Sequence, residues 1–139
     1  MKKKLNNIKT IVLNQNKQKK GNIIKIIKKG DIFFNSFGEL YISEIKPYKV
    51  KAWRYHKRST QNIFLLEGKC KIVCQVKEKF VEIQLSENLP KLTIIPKKCW
   101  YGFKNKSGKK VRLLNLSDQK FSENEILRKE IKEIKYNWK

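Results

Sequence analysis

Residues 53–68 read WRYHKRSTQNIFLLEG, and residues 96–105 read PKKCWYGFKN. The first stretch places Arg54, His56, Gln61 and Gly68 in the spacing R-x-H-x4-Q-x6-G. The second places Pro96, Lys98, Tyr101 and Asn105 in the spacing P-x-K-x2-Y-x3-N. The run entering the first stretch, KVKAWRYH, reads as a strand, and side chains two residues apart on a strand share a face. Val50, Ala52, Arg54 and His56 are therefore expected on one face, with Lys51, Trp53 and Tyr55 on the other.

The two stretches resemble the paired motifs of the cupins, H-x-H-x4-E-x6-G and P-x-G-x2-H-x3-N. Arg54 stands at the first His, Gln61 at the Glu, Lys98 at the Gly and Tyr101 at the last His. GELYISEIKPYKVKAWRYHKR (38–58) is similar to the dTDP-4-dehydrorhamnose 3,5-epimerase-related family, where "SEIKPG" leads through "K/R-G-W-H-x-H-K" into the barrel. WYGFKNKSGKKVRLLNLSDQKFSENEILR (100–128) resembles that family's "WHGF-N" strand, its hairpin and its "D-E-I-R" tail, and IKYNWK resembles a terminal "IPYDW". The dTDP-sugar 3,4-ketoisomerases share H-x-H-K-x3-Q, which His56, Lys57 and Gln61 match in part.

The resemblance implies an all-β fold, a cupin-type double-stranded β-helix or jelly-roll sandwich, closed by a short C-terminal helix or turn. It implies one domain over 1–139, with residues 1–20 as a strand exchanged in a homodimer. It also implies a nucleotide-sugar substrate of the dTDP-4-keto-6-deoxyhexose type, in surface-polysaccharide biosynthesis, with neither metal nor cofactor.

The substitutions decide what chemistry remains. A transition-metal cupin needs imidazoles and a carboxylate converging on one point, and these positions offer one imidazole, an amide, a phenol and a guanidinium. Epimerisation next to a ketone needs a base near neutral pKa, a group that stabilises the enolate, and an acid on the far side. In the epimerases the base is the first His of the motif, here Arg54, and arginine does not give up its proton in a protein. The acid there is a Tyr on the strand after the second motif, and this chain reads LLNL at 113–116. His56, the one histidine of the chain, is left as candidate base, with Arg54 as electrophile and Tyr101 as proton shuttle. One base working between adjacent carbons suits 3,4-ketoisomerisation better than double inversion. The alternative is a silent cupin that binds a sugar nucleotide or other anion, with Arg54 paired to a carboxylate or a ligand phosphate. Lys51 and Lys57 are candidate contacts for the diphosphate, and Trp53 is a candidate stacking surface, although packing is an equal role for it.

Composition sets the outer bounds. A chain of 139 residues with 40% hydrophobic content is long enough for one core. The formal net charge of +22 invites a nucleic-acid reading. Yet four of the 34 basic residues are arginine, and base reading leans on arginine. No nucleic-acid motif is present, so nucleic acid is not expected as a partner. No run approaches the length of a membrane span, and the basic start carries no apolar signal core. Three cysteines are expected to be reduced core residues in a cytoplasmic protein.

Short apolar runs separated by turns make up the body: IVL, NIIKII, DIFF, ELYISEI, NIFLLEG, KCKIVCQV, FVEIQL, KLTIIP and KVRLLNL. The one helical signal is late. Ser122 to Glu125 has capping-box spacing, and Ile126, Leu127, Ile131 and Ile134 give an amphipathic stripe.

Overall fold

The computed structural model describes residues 8–31, 34 and 36–139. Twelve strands are present among them. The first six are β1 (Lys9–Val12), β2 (Gln15–Asn16), β3 (Ile23–Ile24), β4 (Glu39–Ile45), β5 (Val50–His56) and β6 (Gln61–Glu67). The rest are β7 (Lys69–Val76), β8 (Lys79–Ser86), β9 (Lys91–Ile95), β10 (Trp100–Asn105), β11 (Val111–Ser117) and β12 (Ile126–Arg128). They form two five-stranded antiparallel sheets, in the orders β1-β9-β6-β11-β4 and β12-β5-β10-β7-β8, and a small β2-β3 hairpin. From β4 onward the chain passes repeatedly from one sheet to the other. This is the cupin-type jelly roll that the two motifs imply.

Alternation explains the sandwich. Val111, Leu113, Asn115 and Ser117 of β11 point inward, with half-buried residues between them. Ile63, Leu65, Ile72, Leu113 and Val111 join Cys70, Cys74 and Cys99 in the core between the sheets. Each such aliphatic side chain contributes about 1.5–3 kcal/mol on burial. β7 is buried on both faces from Cys70 to Cys74, because its outer side is covered as well. There Trp53 and Val73 pack with Ile134 of the C-terminal segment, joined by Phe80, Tyr136 and Trp138.

Several motif positions have backbone reasons. Gly68 is the single residue between β6 and β7 as the chain crosses from one sheet to the other, and its φ is +97°. A Cβ there would lie 2.8 Å from Val111 Cγ2. At Gly102, a Cβ would lie 2.5 Å from Ala52 Cβ, so only hydrogen lets β10 and β5 approach. Lys98, at the frame's glycine position, has φ 64°, and its N–H donates to the His56 carbonyl at 2.7 Å. Asn105, fully buried, donates through Nδ2 to the carbonyls of Ile45, Lys46 and Lys109 and accepts from Ser107. It ties the β10–β11 hairpin to β4.

Three expectations need adjustment. NIIKII forms a strand only at Ile23–Ile24, and in DIFF, Ile32 and Phe33 lie outside the described residues. The stripe after Ser122 does not form an α-helix: two 3-10 turns, Glu123–Glu125 and Ile131–Glu133, flank strand β12. The backbone of β12 is drawn into pairing with the edge of β5, which competes with helical hydrogen bonds. The capping box also forms elsewhere than expected, at Glu130 and Glu133, while the Ser122 side chain makes no cap bond.

Candidate active site

Along the strands the inward-facing residues change from apolar at one end to polar at the other. β11 runs from Val111 and Leu113 to Asn115 and Ser117, β4 from Ile45 to Ser43 and Tyr41, and β6 from Leu65 and Ile63 to Gln61. The apolar ends form the core, and the polar ends line two adjoining cavities, of about 380 Å³ and 310 Å³. Tyr41 and Arg54 line both, so the two read as lobes of one cleft.

His56 ends β5 and is 5% exposed. Its Nδ1 lies 3.1 Å from Glu125 Oε2, and its Nε2 lies 2.8 Å from the Tyr101 hydroxyl. Glu125 Oε1 accepts from the backbone N–H of Arg58 (3.0 Å), the N–H of Ser59 (2.9 Å) and the Ser59 hydroxyl (2.9 Å). An ionised carboxylate only accepts, so Nδ1 carries the imidazole proton and Nε2 accepts from the Tyr101 O–H. Burial pushes the His56 pKa below its ordinary value; the Glu125 contact opposes that shift, and Arg54 and Arg128 add to it. Burial pushes Glu125 up, but the Arg58 N–H, His56 and Ser59 outweigh it and hold the carboxyl below its usual range. Tyr101 is driven well above an ordinary phenol by burial. The resting site is thus a carboxylate, a neutral imidazole and a protonated phenol.

The cavity-facing cations come from a register change. β5 pairs with β10 as Lys51 opposite Phe103, Ala52 opposite Gly102 and Arg54 opposite Tyr101, with a shift between Tyr101 and Gly102. Three residues of β5, Ala52 to Arg54, thus face two of β10, and strict alternation breaks there. Lys51 and Arg54 both line the larger cavity, instead of pointing to opposite sides as simple alternation expects. Burial, and then the Arg54 charge, push the Lys51 ammonium below its ordinary value. Among the described residues no carboxylate lies within ion-pair distance of Arg54, whereas Arg112 and Arg128 are paired.

Gln61 is 1% exposed. Its amide donates to Ser59 Oγ at 2.9 Å and Ser117 Oγ at 3.1 Å, and its carbonyl accepts from the Tyr41 hydroxyl at 3.4 Å. Trp53 is among the residues lining the larger lobe; its indole packs against Tyr136 and Trp138, and its Nε1 donates to the Ile131 carbonyl. The Lys57 side chain is exposed and is not among the cavity residues. His56, Tyr101, Arg54, Lys51, Gln61 and Trp53 therefore all line the cleft, and Lys57 does not. No group of three His, Cys, Asp or Glu residues placed to hold a metal exists among the described residues.

Residues 6–137 match the family described as "FdtA: WxcM-like, C-terminal". The chain belongs to that family. Among solved structures, the FdtA-family fold of this chain is similar to a dTDP sugar isomerase from Desulfovibrio desulfuricans, with 25% identity and TM-score 0.87 over 95% of this chain and 90% of that one. It is also similar to QdtA, a sugar 3,4-ketoisomerase from Thermoanaerobacterium thermosaccharolyticum in complex with TDP. That likeness has 21% identity and TM-score 0.77 over 92% of this chain and 94% of that one. A dTDP-4-dehydrorhamnose 3,5-epimerase from Elizabethkingia anophelis shares 15% identity and TM-score 0.82, over 100% of this chain and 85% of that one. No curated protein sequence matches the chain.

Glu125 and Tyr41 are the functional candidates that the motifs did not reveal. Glu125 read as part of a helix cap, and Tyr41 lies in no motif. The signal that finds Tyr41 is the inward register of β4, where it pairs with Asn115.

Proposed function

We propose that this protein is a nucleotide-sugar isomerase acting on a dTDP-4-keto-6-deoxyhexose, of the 3,4-ketoisomerase kind, in surface-polysaccharide biosynthesis. The observation that carries this reading is the buried chain Glu125–His56–Tyr101 beside the unpaired Arg54 in a cleft between the sheets. A neutral imidazole anchored by a carboxylate is a proton acceptor poised near neutral pH. Because the Tyr101 hydroxyl covers Nε2, the proton on the carbon beside the ketone passes to the Tyr101 oxygen as the phenol proton passes to Nε2. The C–H electron pair becomes the enolate double bond, and the ketone oxygen takes the negative charge beside Arg54. A fixed guanidinium there stabilises the developing oxyanion. The proton of the adjacent hydroxyl passes to the former ketone oxygen, and return of the abstracted proton to the former carbonyl carbon leaves the keto group one position along. The reaction as drawn uses proton transfers alone and calls for no metal. Lys51 lines the same lobe, which supports a contact with an anionic portion of the ligand, and the charge of +22 favours such a ligand.

We further read the protein as a homodimer. Leu40, Ile42 and Leu66 are exposed on the outer face of the β1-β9-β6-β11-β4 sheet, and sedimentation at micromolar concentration tests this.

The function is tested by incubating the protein with dTDP-4-keto-6-deoxyglucose in deuterated water and following product and isotope by NMR. Conversion with deuterium entering at the carbons next to the keto group is expected, and His56→Ala should abolish both while keeping the circular dichroism of the parent. Arg54 standing where the epimerases have their base favours one rival, the silent binder. Tight dTDP binding by the parent with no conversion and no exchange would establish that rival.

A further inference from the structure

One buried polar residue of the cleft differs from the rest in what its oxygen binds. Asn115 follows Leu113 and precedes Ser117 on the inward face of β11, and it is 4% exposed. Its Oδ1 is buried and accepts no hydrogen bond among the described residues. His56, Gln61, Ser117 and Glu125, the other buried polar residues of the cleft, are all hydrogen-bonded. Of the buried side-chain polar atoms without a partner, Asn115 Oδ1 is the one whose residue lines the cleft.

The fold does not call for an amide there. Asn115 pairs with Ile63 of β6 and Tyr41 of β4, and an aliphatic side chain would continue the core that Leu113 and Ile63 build. A buried carbonyl oxygen with nothing to accept is destabilising relative to such a side chain. Positions that break a local rule in this way mark function. Asn115 shares the larger lobe with Arg54, Tyr101 and Lys51, and its free acceptor calls for a donor from the ligand.

We propose that Asn115 is a specificity-determining residue, whose Oδ1 accepts a hydrogen bond from the 2-hydroxyl of the sugar. This rests on the isomerase reading above. In a 4-keto-6-deoxyhexose joined to the diphosphate through C1, C4 carries the keto group and C3 the hydroxyl that exchanges with it. The oxygen on C5 closes the ring, and C6 is a methyl. The 2-hydroxyl is thus the one sugar donor that the reaction does not consume. C2 is bonded to C3, so a ring whose C3–C4 edge faces Tyr101 and Arg54 keeps that hydroxyl in the lobe that Asn115 lines.

The test sets dTDP-4-keto-6-deoxyglucose against dTDP-4-keto-2,6-dideoxyglucose. The ratio of kcat/KM for the two is measured on one protein sample, so the fraction folded cancels. The parent is expected to prefer the 2-hydroxy sugar by about 10- to 100-fold, because the 2-deoxy sugar leaves Oδ1 unpaired in the filled site. In Asn115→Leu the ratio should fall to within about threefold of unity, and Asn115→Ala reads the same ratio with a smaller side chain. A parent that turns over both sugars equally, or variants that keep the parent's preference, overturn the role of Asn115 alone. A parent that binds dTDP but converts neither sugar removes the isomerase reading, and Asn115's role with it.

Discussion

Glu125 Oε2 lies 3.1 Å from Nδ1 of His56, although the two residues are 69 positions apart in the chain. The carboxylate arrives on a 3-10 turn just before β12, and β12 pairs with β5 so that Ile126 faces His56. The edge strand thus delivers the anchor to the base. Because Glu125 opposes the depression of the His56 pKa, Glu125→Gln should move the acid limb of kcat/KM to lower pH. It should also reduce the plateau by about 10–100-fold. A pH–rate profile with an unmoved limb would leave Glu125 as a purely structural contact.

Acid stability follows from the same pair. The native pKa of His56 lies below its ordinary 6.5, so below pH 6.5 the unfolded chain takes up a proton that the folded chain refuses. Stability therefore falls as pH drops from 6.5 towards the native value, by at most about 1.4 kcal/mol per pH unit. Glu125 acts in the same direction in a lower window, since its native pKa lies below the ordinary 4.5. Urea titrations across this range should show the upper slope in the parent and its loss in His56→Asn.

Arg54→Met keeps much of the length of the side chain and removes the charge. If the guanidinium holds the enolate oxygen, conversion should fall by about 100- to 1000-fold, with dTDP affinity nearly unchanged. An affinity loss as large as the rate loss would instead place Arg54 on the diphosphate.

Lys98 is held at φ 64°, a left-handed conformation that costs a residue with a Cβ about 1–2 kcal/mol. Lys98→Gly should stabilise the fold by about 0.5–1 kcal/mol, less than the full relief because glycine also frees the unfolded chain. The urea midpoint should rise with no change in the m-value.

Sequence spacing revealed the fold because it encodes backbone necessities. Gly68 has no room for a Cβ, Asn105 binds three carbonyls, and Lys98 keeps a glycine's conformation without being glycine. Spacing also placed His56, Arg54 and Tyr101 around one cleft. It misplaced Lys51, because period-two counting assumes an unbroken ladder and the β5–β10 register shifts between Lys51 and Arg54. It missed Glu125 because Ser-x-x-Glu satisfies a helix cap on paper. Helical hydrogen bonds lose there to pairing with an open strand edge and to the donors of Arg58 and Ser59. Tyr41 was hidden because its significance lies in a cross-strand neighbour, Asn115, far along the chain.

The outer aromatic cluster has a practical consequence. The chain's three tryptophans, Trp53, Trp100 and Trp138, all belong to the patch covered by the C-terminal segment, and Trp53 exchanges backbone hydrogen bonds with Lys129 at the rim of the larger lobe. Intrinsic emission therefore reports on this one region and is nearly blind to the rest of the sandwich. A titration followed at tryptophan wavelengths would read whether filling the cleft loosens or tightens the strap behind it, with no label attached.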